Sequence, residues 1–202
     1  MSAYQHFLDF FSMHNRERLD GLNPSYFAPM TAQERCQAFD HLLEMTKPGG
    51  SAETISGLFL ADAERAAPVV RTLLEQGVLN DDAALGAAWE LYRHQPDAAL
   101  IDVFLRLMSS PDRTLRSRAA FYVPADASHA ALLEALRDMI RTETEALPLV
   151  NACNKLLECY GITEESLPEA QYLRLYRGLR SDDLKTREAT FKELDRLFGL
   201  DA

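Results

Sequence analysis

Apolar residues recur along this chain at helical spacing almost without interruption. Residues 4–14 place Phe7, Leu8, Phe10 and Phe11 on one face, which predicts a first amphipathic helix. GLNPSYF reads as a turn. Thr31 then opens a Thr-x-x-Glu capping box with Glu34, starting a helix that runs to about Met45. KPGGS ends that helix, and Ser51 can cap the next. AERAAPVVRTLLEQG continues as a helix, with Pro68 marking its first turn or a kink and Gly77 its stop.

From residue 80 the pattern becomes regular. DDAALGAAWELYRH is one helix. PDAALIDVFLRLMSS is another, apolar except for Asp102 and Arg106, so only a narrow wet stripe is expected on it. SPDRTLRSRAAFYV follows and closes at Pro124. There Ser110 caps, Pro111 starts the helix and Asp112 faces the positive end of its dipole, leaving Arg113 and Arg118 as surface charges. SHAALLEALRDMIRTE turns Leu132, Leu133, Leu136, Met139 and Ile140 inward and Glu134, Arg137, Asp138 and Arg141 outward. ALPLVNACNKLLECYG ends at Gly161. Ser166 and Glu169 make a second capping box ahead of YLRLYRGLR, and SDDLKTREATFKELDRLFG is the last helix. No run alternates with period two, so no strand is expected.

The helix starts repeat. Acidic or Pro-Asp turns begin near residues 81, 111 and 182, with a Glu-Ala-Leu-Pro start near 145, a spacing in the range of helical repeats. Leu115-Arg116 is followed by Ala119, Ala120 and Val123; Thr186-Arg187 by Ala189, Thr190 and Leu194. Leu149-Val150 with Ala152, Cys153 and Leu157 fits without the arginine, and Ala84-Leu85 with Ala87, Ala88 and Leu91 or Tyr92 fits loosely. Small residues in mid-helix let neighbouring helices approach, and large ones fill the gap between layers. A lone hairpin cannot bury its own face, so hairpins must stack.

This pattern resembles the HEAT and HEAT-like family over residues 80–198. The resemblance implies an all-α fold, an α-α superhelix: a short solenoid of antiparallel helix pairs. Residues 1–202 then form a single domain, with 1–79 a divergent or capping helical segment and 80–202 the repeats. It also implies a ladder in which Arg116 and Arg187 bond turn acids of adjacent repeats, from among Asp112, Asp182 and Asp183. A fold of this kind does not fix a function.

Charge narrows the choice. The chain has 202 residues, 21 basic and 31 acidic, for a net charge of −10. The acid excess is stronger in residues 1–101, with 7 basic and 14 acidic groups. Such a balance disfavours nucleic acid and anionic membrane and suits a basic partner. The start MSAYQHFLDFF has no signal-peptide character, and no stretch approaches a membrane span. Cys36, Cys153 and Cys159 make no disulfide framework, so a reduced, cytoplasmic protein is expected.

Candidate chemistry is sparse. His6, His14, His41, His94 and His129 are scattered, and Cys36 and His41 are five apart, so no metal or cofactor is expected; Cys36 reads as a core residue beside a surface histidine. Lys47-Pro-Gly-Gly-Ser51 lacks the strand and the Gly-Lys-Ser/Thr of a phosphate loop. Trp89 and Tyr92 read as core or interface anchors. Tyr172, Arg174, Tyr176 and Arg177 could stack and clamp nucleic acid, but acids surround them.

The expectation is therefore a non-catalytic protein-binding module. Its partner would be another protein of basic surface, a toxin or effector. The narrowest form is a bacterial immunity protein that neutralises a cognate toxin. Candidate contacts are Asp97, Asp102, Arg106, Glu134 and Asp138. The alternatives are a HEAT-like nucleic-acid or base-excision protein, which would need a basic groove with a buried carboxylate and aromatics, and an assembly adaptor or lyase-like protein of cofactor maturation.

Overall fold

Helix ends in this protein are set by short polar side chains, and most lie where the pattern puts them. The computed structural model describes residues 2–14 and 16–198. It is all-α: no strand occurs among the described residues. The α-helices are α1 (Ala3–Phe10), α2 (Arg16–Leu19), α3 (Pro24–Phe27), α4 (Ala32–Thr46), α5 (Ala52–Glu75) and α6 (Asp81–His94). They continue with α7 (Ile101–Met108), α8 (Arg113–Tyr122), α9 (Ala130–Thr142), α10 (Ala146–Cys159), α11 (Glu169–Leu179) and α12 (Leu184–Phe198). Gly199, the expected end of the last helix, lies outside the described residues. None of these helices is long and apolar enough to cross a membrane.

Both sides of the Thr31–Glu34 capping box form, and so does a Ser51–Thr54 box. Gly77 stops α5 as expected. At φ +67° it lets the Gly77 amide reach the Leu74 carbonyl and the Val78 amide reach Leu73, which satisfies two orphan carbonyls. Gly161 closes α10 with the same pair of bonds.

Four local expectations are corrected. GLNPSYF is not only a turn: Asn23 caps α3 inside it, with Pro24 in the first turn. The kink in α5 sits at Asp62 (φ −163°, ψ 96°), ahead of Pro68, because the Asp62 carboxylate caps the restarted helix at the Arg65 amide. Asp112, rather than Ser110, is the cap of α8, accepting from the amides of Thr114 and Leu115. The second capping box does not form. Ser166 is bonded to the amide and carbonyl of Thr163, so α11 starts at Glu169 without a side-chain cap.

The chain divides into two compact units, Met1–Val103 and Phe104–Ala202. The division falls inside α7, whereas the sequence pattern changes at residue 80. In the first unit α5 packs most extensively on α6 and on α4, so α6 stays with the N-terminal helices. Its core joins Phe7 and Phe10 of α1 to Phe27, Phe39, Leu42, Ile55, Leu58 and Leu91. The first stretch of α5 runs parallel to α6: the Ala52 amide donates to Asp82 at 2.8 Å and the Ser56 hydroxyl to Glu90 at 2.9 Å, sequence separations of 30 and 34. The helices nearly touch there. A Cβ on Gly86 would lie 2.8 Å from the Ala52 Cα, so only glycine fits.

The second unit repeats this relation. α8 runs parallel to α10, with Arg113 3.5 Å from Glu145 and Asn151 donating to the Ser117 hydroxyl at 2.9 Å, again 34 residues apart. Ala119, Ala120, Ala152 and Cys153 are fully buried, as close-packing positions should be. α12 packs on α9 in the opposite sense, pairing Arg137 with Asp195 and Arg141 with Glu188.

The same separation reaches into residues 1–79, where the apolar pattern shows no period. Glu34, in the first turn of α4, accepts the Tyr4 amide 30 residues back. Glu53, in the first turn of α5, accepts the Leu22 amide 31 residues back and pairs with Arg18 at 2.8 Å. First-turn acids thus tie α4 and α5 to earlier segments of the chain while facing their own helix dipoles.

Candidate functional site

The expected ladder arginines are both buried or nearly so; among the described residues neither bonds Asp112, Asp182 or Asp183, and Arg116 bonds a different turn acid. Arg116 grips Glu143, the acid in the turn between α9 and α10, through Nε at 2.7 Å and Nη2 at 3.1 Å. It also donates to the carbonyls of Ser110 and Pro111. Among the described residues, Arg187 meets no carboxylate. Its guanidinium bonds the carbonyls of Ser181, Ile140 and Arg141, the last two at the C-terminal end of α9. A cation there offsets the negative end of the helix dipole and fills orphan acceptors. Asp112 and Asp183 cap α8 and α12, and Asp182 is exposed. The two arginines therefore converge on one helix end, that of α9.

Beside that end lies a cleft of about 480 Å³. Met108, Ala135 and Met139 give it an apolar lining, and Asp138, Thr142 and Thr144 add polar groups. The Arg116–Glu143 pair also lines it. The Glu143 side chain is only 5% exposed. Burial pushes its carboxyl up, but Arg116 and the amides of Glu145 and Thr144 outweigh this and hold it below the usual range. Its oxygens are committed to those donors, so it is a fixed anion and not a proton donor at neutral pH.

Next to the cleft, one guanidinium holds three carboxylates. Arg141 bonds Glu188 at 2.7 Å, Asp138 at 2.7 Å and Glu134 at 2.9 Å, and it lies over the Phe191 ring. Its charge is held more firmly than usual, chiefly by Glu188, against the effect of burial. The arginine side chain is 29% exposed and Glu134 and Asp138 are 59% and 65% exposed. The cation is tucked in and the acids face outward, so the surface keeps a negative excess.

Of the expected contact residues, the structure brings together Glu134 and Asp138 through Arg141. Asp97 is elsewhere: it lies in the first unit, caps the turn Ala98–Leu100 and pairs with Arg71 at 2.8 Å. Asp102 and Arg106 are the exposed residues of α7, whose Ile101, Phe104, Leu107 and Met108 are buried. Arg137 and Arg141, expected to point outward, are half-buried. Arg137 bonds Tyr160 and Asp195, with Tyr160 donating to Asp195 at 3.2 Å. Glu143 and Glu188 were not singled out by the sequence, and Arg141 was read only as an outward charge; the legible signal was an acid in a turn 27 residues after an arginine.

The remaining sequence candidates resolve as structure. Cys36 is exposed, not in the core, with its sulfur 3.5 Å from Arg65 Nη1; Cys153 and Cys159 are buried. Asn80 occupies the glycine loop through the carbonyls of Gly49 and Gly50, and Asp82 sits at the α5 N-terminus where an anion could have bound. Trp89 and Tyr92 are half-buried, and Tyr92 packs on the core. Arg174 is paired with Glu193. No cluster of three or more metal-binding side chains occurs among the described residues.

The fold and this site define an all-α protein with an acidic, cleft-bearing helix face. No family model, curated protein or solved structure matches the chain.

Proposed function

We propose that the chain is a non-catalytic, cytoplasmic protein-binding module, a short HEAT-like solenoid of antiparallel helix pairs, that takes a partner of basic surface. Its narrower form is a bacterial immunity protein that neutralises a cognate toxin. The observation that carries the reading is the α9 face: Glu134, Asp138 and Glu188 share the single Arg141 beside a methionine-lined cleft. An exposed acidic rim steers a basic protein, and an adaptable apolar recess takes one of its side chains. The regular 30–34 residue separation between parallel helices supports the repeat.

The test is capture of partners from the native host, followed by titration of each purified partner against wild type and the double variant E134K/D138K. A basic partner whose association slows in the variant and in salt supports the reading. Equal binding by the variant overturns it. Protection of cells on co-expression with a neighbouring toxin gene tests the narrower form.

One observation favours the nucleic-acid alternative. Tyr172 and Tyr176 stack at 6.0 Å, and Arg180 lies 5.1 Å over the Tyr176 ring. A mobility shift of single-stranded DNA that weakens steeply with salt would select it.

A further inference from the structure

The first unit holds a second cleft, of about 290 Å³, between α5 and α6. It lies where α5 breaks: the parallel contact with α6 holds at Ser56, the backbone leaves helical geometry at Asp62, and Ala63 already lines the opening. Phe59 and His94 stand on opposite sides, ring centroids 6.1 Å apart at 64°. Leu60 adds an apolar surface.

Glu90 also lines this cleft. Its side chain is only 13% exposed, yet its bonding is thin. It accepts one neutral hydroxyl bond from Ser56 and one contact from Arg93 at 3.4 Å. That is long for a charge-assisted bond, which closes to about 2.7–2.9 Å. Arg93 is itself 60% exposed and lies over the Trp89 ring. A carboxylate offers about four acceptor positions. Glu90 therefore retains capacity for a further donor, in a place where water is largely excluded. The first 101 residues also carry the larger acid excess, 14 acidic against 7 basic groups.

We propose that this cleft receives an arginine side chain of a basic protein partner. The aliphatic stem lies on Leu60 and Ala63, the guanidinium plane meets the rings of Phe59 and His94, and its N–H groups complete Glu90. Arg93 also lines the cleft but is 60% exposed and screened by water, whereas Glu90 is 13% exposed, so the recessed charge disfavours an anion, and a purely apolar side chain would strip its remaining water without replacing it. The inference rests on the proposed reading for the partner's basic character, but the site is defined by its own geometry.

The experiment uses the full chain and acetyl-Gly-Arg-Gly-amide as probe, followed by NMR of the Phe59 and His94 rings. Saturable shifts are expected. They should be absent with the neutral citrulline peptide and weakened about tenfold or more in Glu90→Gln, the loss of one charge-assisted bond. Ala63→Leu, which fills the cleft and leaves Glu90 in place, should abolish them with an unchanged circular dichroism spectrum. Equal response to the citrulline peptide, or undiminished binding in folded Ala63→Leu, overturns the inference. If a basic partner binds Glu90→Gln normally but loses E134K/D138K, this cleft is wrong and the α9 reading stands. If the arginine peptide binds and no basic partner does, the cleft stands and that reading fails.

Discussion

Replacing Arg116 with alanine removes the guanidinium that grips Glu143 at bonding distance, and the carboxylate stays where it is, 5% exposed. Two charge-assisted bonds vanish, together with two bonds to the carbonyls of Ser110 and Pro111. Breaking one side of a buried ion pair costs roughly 3–5 kcal/mol, because the survivor is left charged without water. Glu143 keeps the amides of Thr144 and Glu145 at 3.0 Å. The lower end, about 3 kcal/mol, therefore applies. For a chain of this size each kcal/mol moves the melting temperature by roughly 2–4 °C, so a drop of about 6–12 °C is expected.

The acid dependence adds a sign. In the wild type Glu143 sits below its ordinary pKa, so its stabilisation is complete above that value and is lost as pH falls through the lowered one. In Arg116→Ala the buried carboxylate instead favours its neutral form, and protonation relieves the strain. The gap between the proteins should narrow on acidification. Urea denaturation followed by circular dichroism, in a cycle with Glu143→Leu and the double variant, measures both effects. The double variant should recover part of the loss. Additive single effects, or a melting change under about 2 °C, would refute the reasoning.

Three further outcomes follow from particular contacts. In the native protein an aromatic disulfide reagent should label Cys36 alone, because burial pushes the Cys153 thiol up to about 12 and raises Cys159 as well; labelling of all three before unfolding would contradict the packing. Gly86→Val should cost roughly 1–3 kcal/mol by prising α6 off Ala52, read by denaturant midpoint; a neutral result would mean the helices are not in contact. His129 caps α9 by accepting the Leu132 amide on Nδ1 at 3.2 Å. His129→Ala should therefore cost roughly 0.5–2 kcal/mol and His129→Asn should keep most of the stability, read by denaturant midpoint; an alanine variant as stable as the wild type would show that the cap contributes nothing.

The sequence alone determined the longer helices, most of their ends and which faces are apolar. Those features depend on neighbours within a turn or two, so the capping box at Thr31, the cap at Ser51 and the stop at Gly77 are written locally. The inward set on α9, from Leu132 to Ile140, was equally legible from its spacing, and all five residues are buried. Partner choice among charges was not. Arg137 and Arg141 stand at positions that read as outward on α9. They are drawn in by Asp195, Tyr160 and Glu188, which lie far along the chain. Arg116 and Arg187 stand at similar places in the sequence pattern, yet one finds a carboxylate and the other finds carbonyls, because only the first faces the turn that holds Glu143. A long guanidinium can reach several acceptors, and local sequence does not rank them. Only the packing of helices 27 to 58 residues apart decides which acid is neutralised and which, like Glu134 and Asp138, is left facing outward.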